Sequence, residues 1–154
     1  MRLLVSAMVY AWAAPCSAVG LVPAIIALLA VGSAKIHSGV IEVVLSEAGG
    51  RVPVVAGVLD ATTDHCIAHA QQARSLGVDG LVLTAPYYTR TSQGEIVDHF
   101  GYVSDAVALP IIAYDIPVCV NIKLARDTVN TLAREQVVVA LKDSSGDEGG
   151  FRML

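Results

Sequence analysis

Apolar and polar positions alternate along this chain in two registers. From residue 35 onward, short runs rich in β-branched residues take turns with longer stretches in which apolar positions recur every three or four residues. Val52-Pro53-Val54-Val55-Ala56-Gly57, Gly80-Leu81-Val82-Leu83, Leu109-Pro110-Ile111-Ile112-Ala113-Tyr114 and Val137-Val138-Val139-Ala140-Leu141 read as buried strands. Pro110 stands at its strand's entry, where no ladder donor is needed. The stretches between them read as helices. One covers Val40 to Ala48 and closes at Gly49-Gly50. A second opens at Thr62-Thr63-Asp64, runs to about Leu76 and stops at Gly77. A third starts from a capping box of Ser92 and Glu95, with Ile96, Phe100, Val103 and Val107 as its inner face. A fourth lies near Leu124 to Ala133.

Strand starts near residues 52, 80, 110 and 137 repeat at the size of one βα unit. Right-handed crossovers between such units build a parallel sheet covered by helices. A (β/α)8 barrel uses this repeat and carries its chemistry at the C-terminal ends of the strands. An open doubly wound sheet is the competing fold. It normally places a glycine-rich phosphate loop after its first strand, a pattern that Gly57-Val58-Leu59-Asp60 lacks.

The first 34 residues follow a different rule. Leu3 to Ala34 carries no charged side chain and only Arg2 precedes it, so residues 1–34 form an apolar segment distinct from the α/β unit of residues 35–154. Its length admits a membrane helix, and Arg2 with Gly32-Ser33-Ala34 admits a signal peptide. Pro15, Gly20 and Pro23 interrupt the run, however, and leave from Ala24 to Ala34 too short a piece for the roughly 20 residues of a span. A membrane partner is therefore not expected. A buried strand-and-helix start or a damaged N-terminus accounts for the same residues.

Composition adds three constraints. Of the 154 residues, 55% are hydrophobic and 16% charged, which suits buried parallel strands or a piece of a larger fold. A net charge of -4 without a basic cluster argues against nucleic-acid binding. Cys16, Cys66 and Cys119 are odd in number and widely spaced, so they form neither a disulfide framework nor a zinc knuckle. Cys66 and Cys119 read as small buried residues of a reduced, cytoplasmic protein.

Lys142 ends the last apolar run, and Asp143-Ser144-Ser145-Gly146-Asp147 follows at once. A lysine at the polar end of a buried strand loses hydration that its ammonium form needs, and a neutral amine can attack a carbonyl to form a Schiff base. Read on its own stretch, Lys142 is better taken as a surface lysine opening a loop. Tyr87, Tyr88 and Tyr114 also lie at or just beyond strand ends.

Four segments at these ends carry a resemblance: Val54-Val55-Ala56-Gly57, Ala85-Pro86-Tyr87-Tyr88, Tyr114-Asp115-Ile116-Pro117 and Leu141-Lys142-Asp143-Ser144-Ser145-Gly146-Asp147. In this order, the stretch from Gly50 to Gly146 resembles the dihydrodipicolinate synthase/N-acetylneuraminate lyase family, pyruvate-dependent class I aldolases on a (β/α)8 barrel. The family separates its strand-end tyrosine from its lysine by the interval between Tyr114 and Lys142. The resemblance implies that Lys142 forms an imine with pyruvate or another 2-keto acid, with no cofactor and no metal. Tyr114 would relay protons near the keto-acid carboxylate, and Tyr88 would reach into a neighbouring subunit's site. A homo-oligomer, in the family a tetramer of tight dimers, is implied with it.

Departures from the family pattern are as concrete. The family's Gly-Thr/Ser-Thr-Gly-Glu loop, which holds the substrate carboxylate, is missing; counted back without gaps, its place falls at Ala24-Ile25-Ile26-Ala27-Leu28. Two further strands and helices would be needed beyond Leu154, so about half a barrel is expected, with open sheet edges. Dihydrodipicolinate synthases usually place an arginine two residues after the Tyr-x-x-Pro motif, where this chain has Cys119. A thiol does not replace a bidentate guanidinium, which favours a sugar-acid aldolase or dehydratase; the less favoured alternative is that Arg90 or Lys123 supplies the missing charge. The alternative from another class is a catalytically inactive truncated remnant, membrane-tethered by residues 3–34 in one version, with only a structural or binding role.

Remaining polar residues take bland readings. His65 and His69 have metal-ligand spacing on one helix but no third ligand in view, and read as exposed helix residues. His99 reads as decoration on the third helix, His37 falls in the poorly matched N-terminus, and Asp143 to Asp147 read as a loop-shaping segment.

Overall fold

The computed structural model describes residues 9–10, 24–27 and 34–151, with side chains described from Ser38 to Gly149. The rest of the apolar N-terminal segment, on which the signal-peptide and membrane readings and the reading of Cys16 depend, lies outside the described residues. No helix among those described is long and apolar enough to cross a membrane.

The elements run β1 (Val9–Tyr10), β2 (Ala24–Ala27), α1 (Ala34–Ala48), β3 (Val54–Gly57), α2 (Thr63–Leu76), β4 (Gly80–Leu83), α3 (Gln93–Val107), β5 (Ile111–Asp115), α4 (Pro117–Val120), α5 (Arg126–Arg134), β6 (Ala140–Asp143) and α6 (Glu148–Phe151). The described strands form one sheet in sequence order, β1-β2-β3-β4-β5-β6. From β2 to β6 every neighbouring pair is parallel, while β1 is antiparallel to β2.

Sequential order without a reversal is the progression of a (β/α)8 barrel, and the helices confirm it by lying on one face. Ile41 of α1, Ala70 and Ala73 of α2, Phe100 and Val103 of α3 and Leu132 of α5 share a single core with Val54, Ala56, Leu81, Leu83, Ile111 and Ala113. Those strand residues alternate in position, so they line one side of the sheet. A doubly wound sheet would split its helices between two sides. The fold is therefore α/β of the (β/α)8 barrel type, and the described part of it is incomplete.

Local chemistry sets the element limits. Thr62 caps α2 by accepting from the His65 N–H, and Gly77 ends it at φ 92°, a left-handed conformation that costs glycine little. Ser92 accepts from the Glu95 N–H while the Glu95 carboxylate accepts from the Ser92 N–H at 2.7 Å, closing the expected capping box. The same donors hold the Glu95 carboxyl below its ordinary value. Ile96, Phe100, Val103 and Val107 are all fully buried, as their spacing predicts. Asp79 staples the entries of β3 and β4: its carboxylate accepts the Val54 N–H at 2.7 Å and its own N–H donates to the Val54 carbonyl at 2.8 Å.

Four expectations change. Helix α1 begins at Ala34 rather than Val40, so the boundary at residue 35 falls inside its first turn. The last strand begins at Ala140, three residues later than the apolar run suggested. The Val137 and Val138 N–H groups return to the Leu132 carbonyl at the end of α5, and Val139 is 65% exposed. Every residue of β6 is only half-buried, because β5 is its one partner among the described strands.

Candidate active site

Strand alternation assembles the central pair. With Ile111 and Ala113 turned to the helices, Tyr114 turns the other way and joins Val55 and Val82 in a second cluster flanked by Ile112 and Ile116. Leu141 packs against the helix layer, so Lys142 shares the face of Tyr114. The register pairs Tyr114 with Lys142 directly. The Lys142 Nζ sits 3.1 Å from the centroid of the Tyr114 ring and donates to Ser144 Oγ at 3.4 Å. A cation and a phenol face attract at this distance, which orders an otherwise flexible amine. Lys142 is thus a half-buried residue inside β6, and neither a free surface lysine nor the first residue of a loop.

Asp115 and Asp143, one position beyond this pair on each strand, are themselves in register. Asp115 is 3% exposed and is stabilised by the Lys123 ammonium at 3.2 Å and the Leu124 N–H at 3.2 Å. Lys123 also donates to Ser145 Oγ at 2.6 Å and lies 4.0 Å from Asp143 and 3.7 Å from Asp147. Burial alone would push the Lys123 ammonium down. The hydrogen bond to Asp115 and the charges of Asp115, Asp143 and Asp147 outweigh it and hold the group above the ordinary lysine value. Lys123 is therefore held by carboxylates of its own chain.

Tyr88 stands apart from the pair. It is 85% exposed and lines a cleft of about 600 Å³ together with Tyr87, Arg90, Val120, Asn121 and Ile122. The cleft lies between the loops after β4 and β5, and its one basic side chain is Arg90. Cys119 belongs to the short α4 and is exposed, contrary to the expectation of a buried residue. This short helix buries Val120 and leaves Val118 and Cys119 outward. Cys66 is buried as expected, and burial pushes its thiol up to about 12, which leaves it inert as a nucleophile.

The expected site of the carboxylate-binding loop is strand backbone. Ala24–Ala27 is β2, paired through Ile25, Ile26 and Ala27 with Val54, Val55 and Ala56. Residue 28 lies outside the described residues.

Two histidines, His99 and His69, depart from their readings, while His65 is exposed as expected. His99 is 2% exposed rather than decorative, with Nδ1 at 2.9 Å from Thr63 Oγ1 and its ring edge-on to Phe100. Its Nε2 has no hydrogen-bond partner among the described residues. Burial drives its pKa down to about 4, against a smaller opposing effect of the Thr84 backbone. His65 is exposed but His69 is half-buried, and both turn Nδ1 toward the Asp60 carboxylate, at 3.3 and 3.9 Å. Sequence reasoning missed Gln93 altogether. Its amide Nε2 donates to the Lys123 carbonyl, and its Oε1 accepts from the Ala125 N–H and from Thr128 Oγ1. No local signal marks such a residue, since its partners lie about thirty positions away.

Comparison with known proteins places this geometry. The sequence profile described as the dihydrodipicolinate synthetase family matches residues 30–151. Among curated proteins, the chain is similar to the 4-hydroxy-tetrahydrodipicolinate synthase of Staphylococcus saprophyticus, 39% identical over 108 residues, covering 70% of this chain and 37% of that protein. The enzyme of the same name from Macrococcus caseolyticus is 39% identical over 114 residues, covering 74% of this chain and 38% of its own. The crystal structure of dihydrodipicolinate synthase from Acinetobacter baumannii complexed with pyruvate superposes with a TM-score of 0.77 at 31% identity, over 79% of this chain and 42% of that one. The chain thus spans under two fifths of the length of these curated relatives.

Proposed function

The chain belongs to the dihydrodipicolinate synthetase family, and from that premise we propose that it is a Schiff-base-forming lyase of pyruvate or a related 2-keto acid. The observation that carries the reading is the contact of the Lys142 amine with the Tyr114 ring across two paired strands. The neutral amine of Lys142 attacks the keto carbon, the carbinolamine loses water, and the imine so formed is protonated. The protonated imine draws electrons from the adjacent carbon, so a proton lost there leaves an enamine that can attack an aldehyde. Tyr114, held against the same amine, is the group positioned to relay that proton. Tyr88, on the exposed cleft, is assigned to a contact between subunits of a homo-oligomer.

For the acceptor we favour an aldehyde derived from a sugar acid over a dicarboxylic one. The curated relatives bear the name of the synthase, but three features of this chain weigh the other way. Cys119 offers no guanidinium, Lys123 is held by Asp115, and Arg90 is the only cation on the cleft. The second reading, an inactive remnant, draws on β2, which occupies the place where a carboxylate-binding loop is expected.

Borohydride reduction in the presence of pyruvate separates the two. The expected result is a stable carboxyethyl adduct on Lys142, absent in Lys142→Ala. No adduct on the folded chain, under conditions that label a full-length relative, supports the remnant.

A further inference from the structure

Lys123 links the end of β5 to the segment that leaves β6 through side-chain contacts. It follows α4, and its ammonium reaches the carboxylate of Asp115 at the end of β5. The same ammonium reaches Ser145, Asp143 and Asp147 in the segment that leaves β6. That segment is otherwise pinned by one backbone bond to the end of β5 and by two local contacts. The Ser144 N–H donates to the Asp115 carbonyl at 2.8 Å, the Ser145 N–H to the Asp143 carboxylate at 2.6 Å, and the Asp147 N–H to Ser145 Oγ at 3.2 Å. On its far side the Lys123 carbonyl accepts from Gln93 at the start of α3.

Three carboxylates around one ammonium are over-supplied with negative charge, so they repel one another wherever the cation is withdrawn. Asp115 is the most affected, because a carboxylate 3% exposed has little water to replace the lost partner. Its neighbour on the strand is Tyr114, and the residue paired with it is Asp143, next to Lys142. A shift of either strand end is therefore transmitted directly to the amine and the phenol.

We propose that Lys123 is a positioning residue for the Lys142–Tyr114 pair, clamping the segment after β6 onto the end of β5 so that amine and phenol hold their register. The proposal rests on the reading of Lys142 as the imine-forming lysine, and the test below distinguishes failure of one from failure of the other.

Lys123→Met keeps the aliphatic stem and removes the charge. In the full chain, below the unfolding transition of the variant, the amides of Ser144, Ser145 and Asp147 are expected to exchange with solvent roughly ten-fold faster, while that of Val58, bonded to the Val82 carbonyl, keeps its rate. Borohydride trapping of Lys142 at saturating pyruvate is expected to slow by about 10- to 100-fold, with the half-saturating pyruvate concentration within about three-fold of wild type. Lys123→Arg, which retains a cation in reach of the carboxylates, is expected to recover most of the rate. Phe100→Leu, destabilised in the helix core away from this segment, is expected to trap at the wild-type rate.

Unchanged exchange at Ser144 to Asp147, or wild-type trapping in Lys123→Met, overturns the clamp. So does an equal loss in Phe100→Leu. Where Lys123→Met does not fold, Ser145→Ala and Asp147→Asn each remove one of the clamp's contacts at the protein surface, and unchanged loop exchange in both overturns it equally. A wild-type chain that traps no pyruvate overturns the imine reading instead, and the exchange measurement still decides whether Lys123 clamps the loop.

Discussion

At the residue scale, the chemistry turns on two side chains that alternate onto one face of adjacent strands. Tyr114 contributes both a ring beneath the amine and a hydroxyl, and Tyr114→Phe separates them. The variant is expected to keep imine trapping at Lys142 but to slow the exchange of pyruvate methyl protons into deuterated water by about 10²-fold or more, read by NMR. Wild-type methyl exchange in this variant removes Tyr114 from the proton path. His99 supplies a pH signature of folding. Its folded pKa, pushed down to about 4, lies below the ordinary value of 6.5, so between these limits the unfolded chain binds a proton that the folded chain refuses. Its contribution is complete above pH 6.5 and is lost as pH falls toward 4, by up to roughly 3 kcal/mol. Denaturant midpoints at pH 7 and 4.5 are expected to fall further apart in wild type than in His99→Gln; equal falls remove His99 as the cause. His99 was invisible as a buried residue because periodicity follows apolar side chains, and histidine carries no apolar label. The aromatic neighbour Phe100 and the Thr63 hydroxyl make its burial tolerable.

At the element scale, helices with local caps were legible and those with distant caps were not. Both limits of α2 and the start of α3 follow from Thr62, Gly77, Ser92 and Glu95, all within one turn of the ends they define, whereas α3 ends at Ala108, a left-handed residue with no sequence signal. Helix α5 starts two residues later than its apolar pattern suggested, at Arg126, and its N-cap, Ala125, has no capping side chain. Gln93 does the work from another helix, accepting from Ala125 and Thr128 and donating to Lys123. Gln93→Ala is expected to lower stability by about 1 kcal/mol, measured by denaturant titration, since the hydroxyl of the buried Thr128 loses its acceptor while the exposed Ala125 N–H turns to water. A change within a few tenths of a kcal/mol assigns those donors to water. Strand β6 shows the opposite error. Val137 to Val139 look like strand by composition, yet their N–H groups close the end of α5 and approach Ile111, and the strand itself holds the polar residues Lys142 and Asp143.

At the scale of the whole molecule, five parallel strands in sequence order with helices on one face leave the opposite face to Tyr114 and Lys142, near the C-terminal ends of β5 and β6. The exposed Tyr88 and Val118, at 85% and 82%, lie on the loops after β4 and β5. An oligomer built through this surface is expected to dissociate toward smaller species in Tyr88→Ala, measured by light scattering of the full chain. An unchanged mass takes Tyr88 out of the interface. The sequence by itself determined the βα repeat, the α2 caps and the α3 N-cap, the helix-facing core and the family, because each depends on residues within a few positions or on short motifs at strand ends. Only the tertiary structure decided that Lys142 lies within β6 against Tyr114, that Lys123 pairs with Asp115, and that His99 is buried. Those facts depend on strand register and on partners from 8 to 36 positions away, and no local pattern encodes which distant charge or hydroxyl a folded sheet brings within hydrogen-bonding distance.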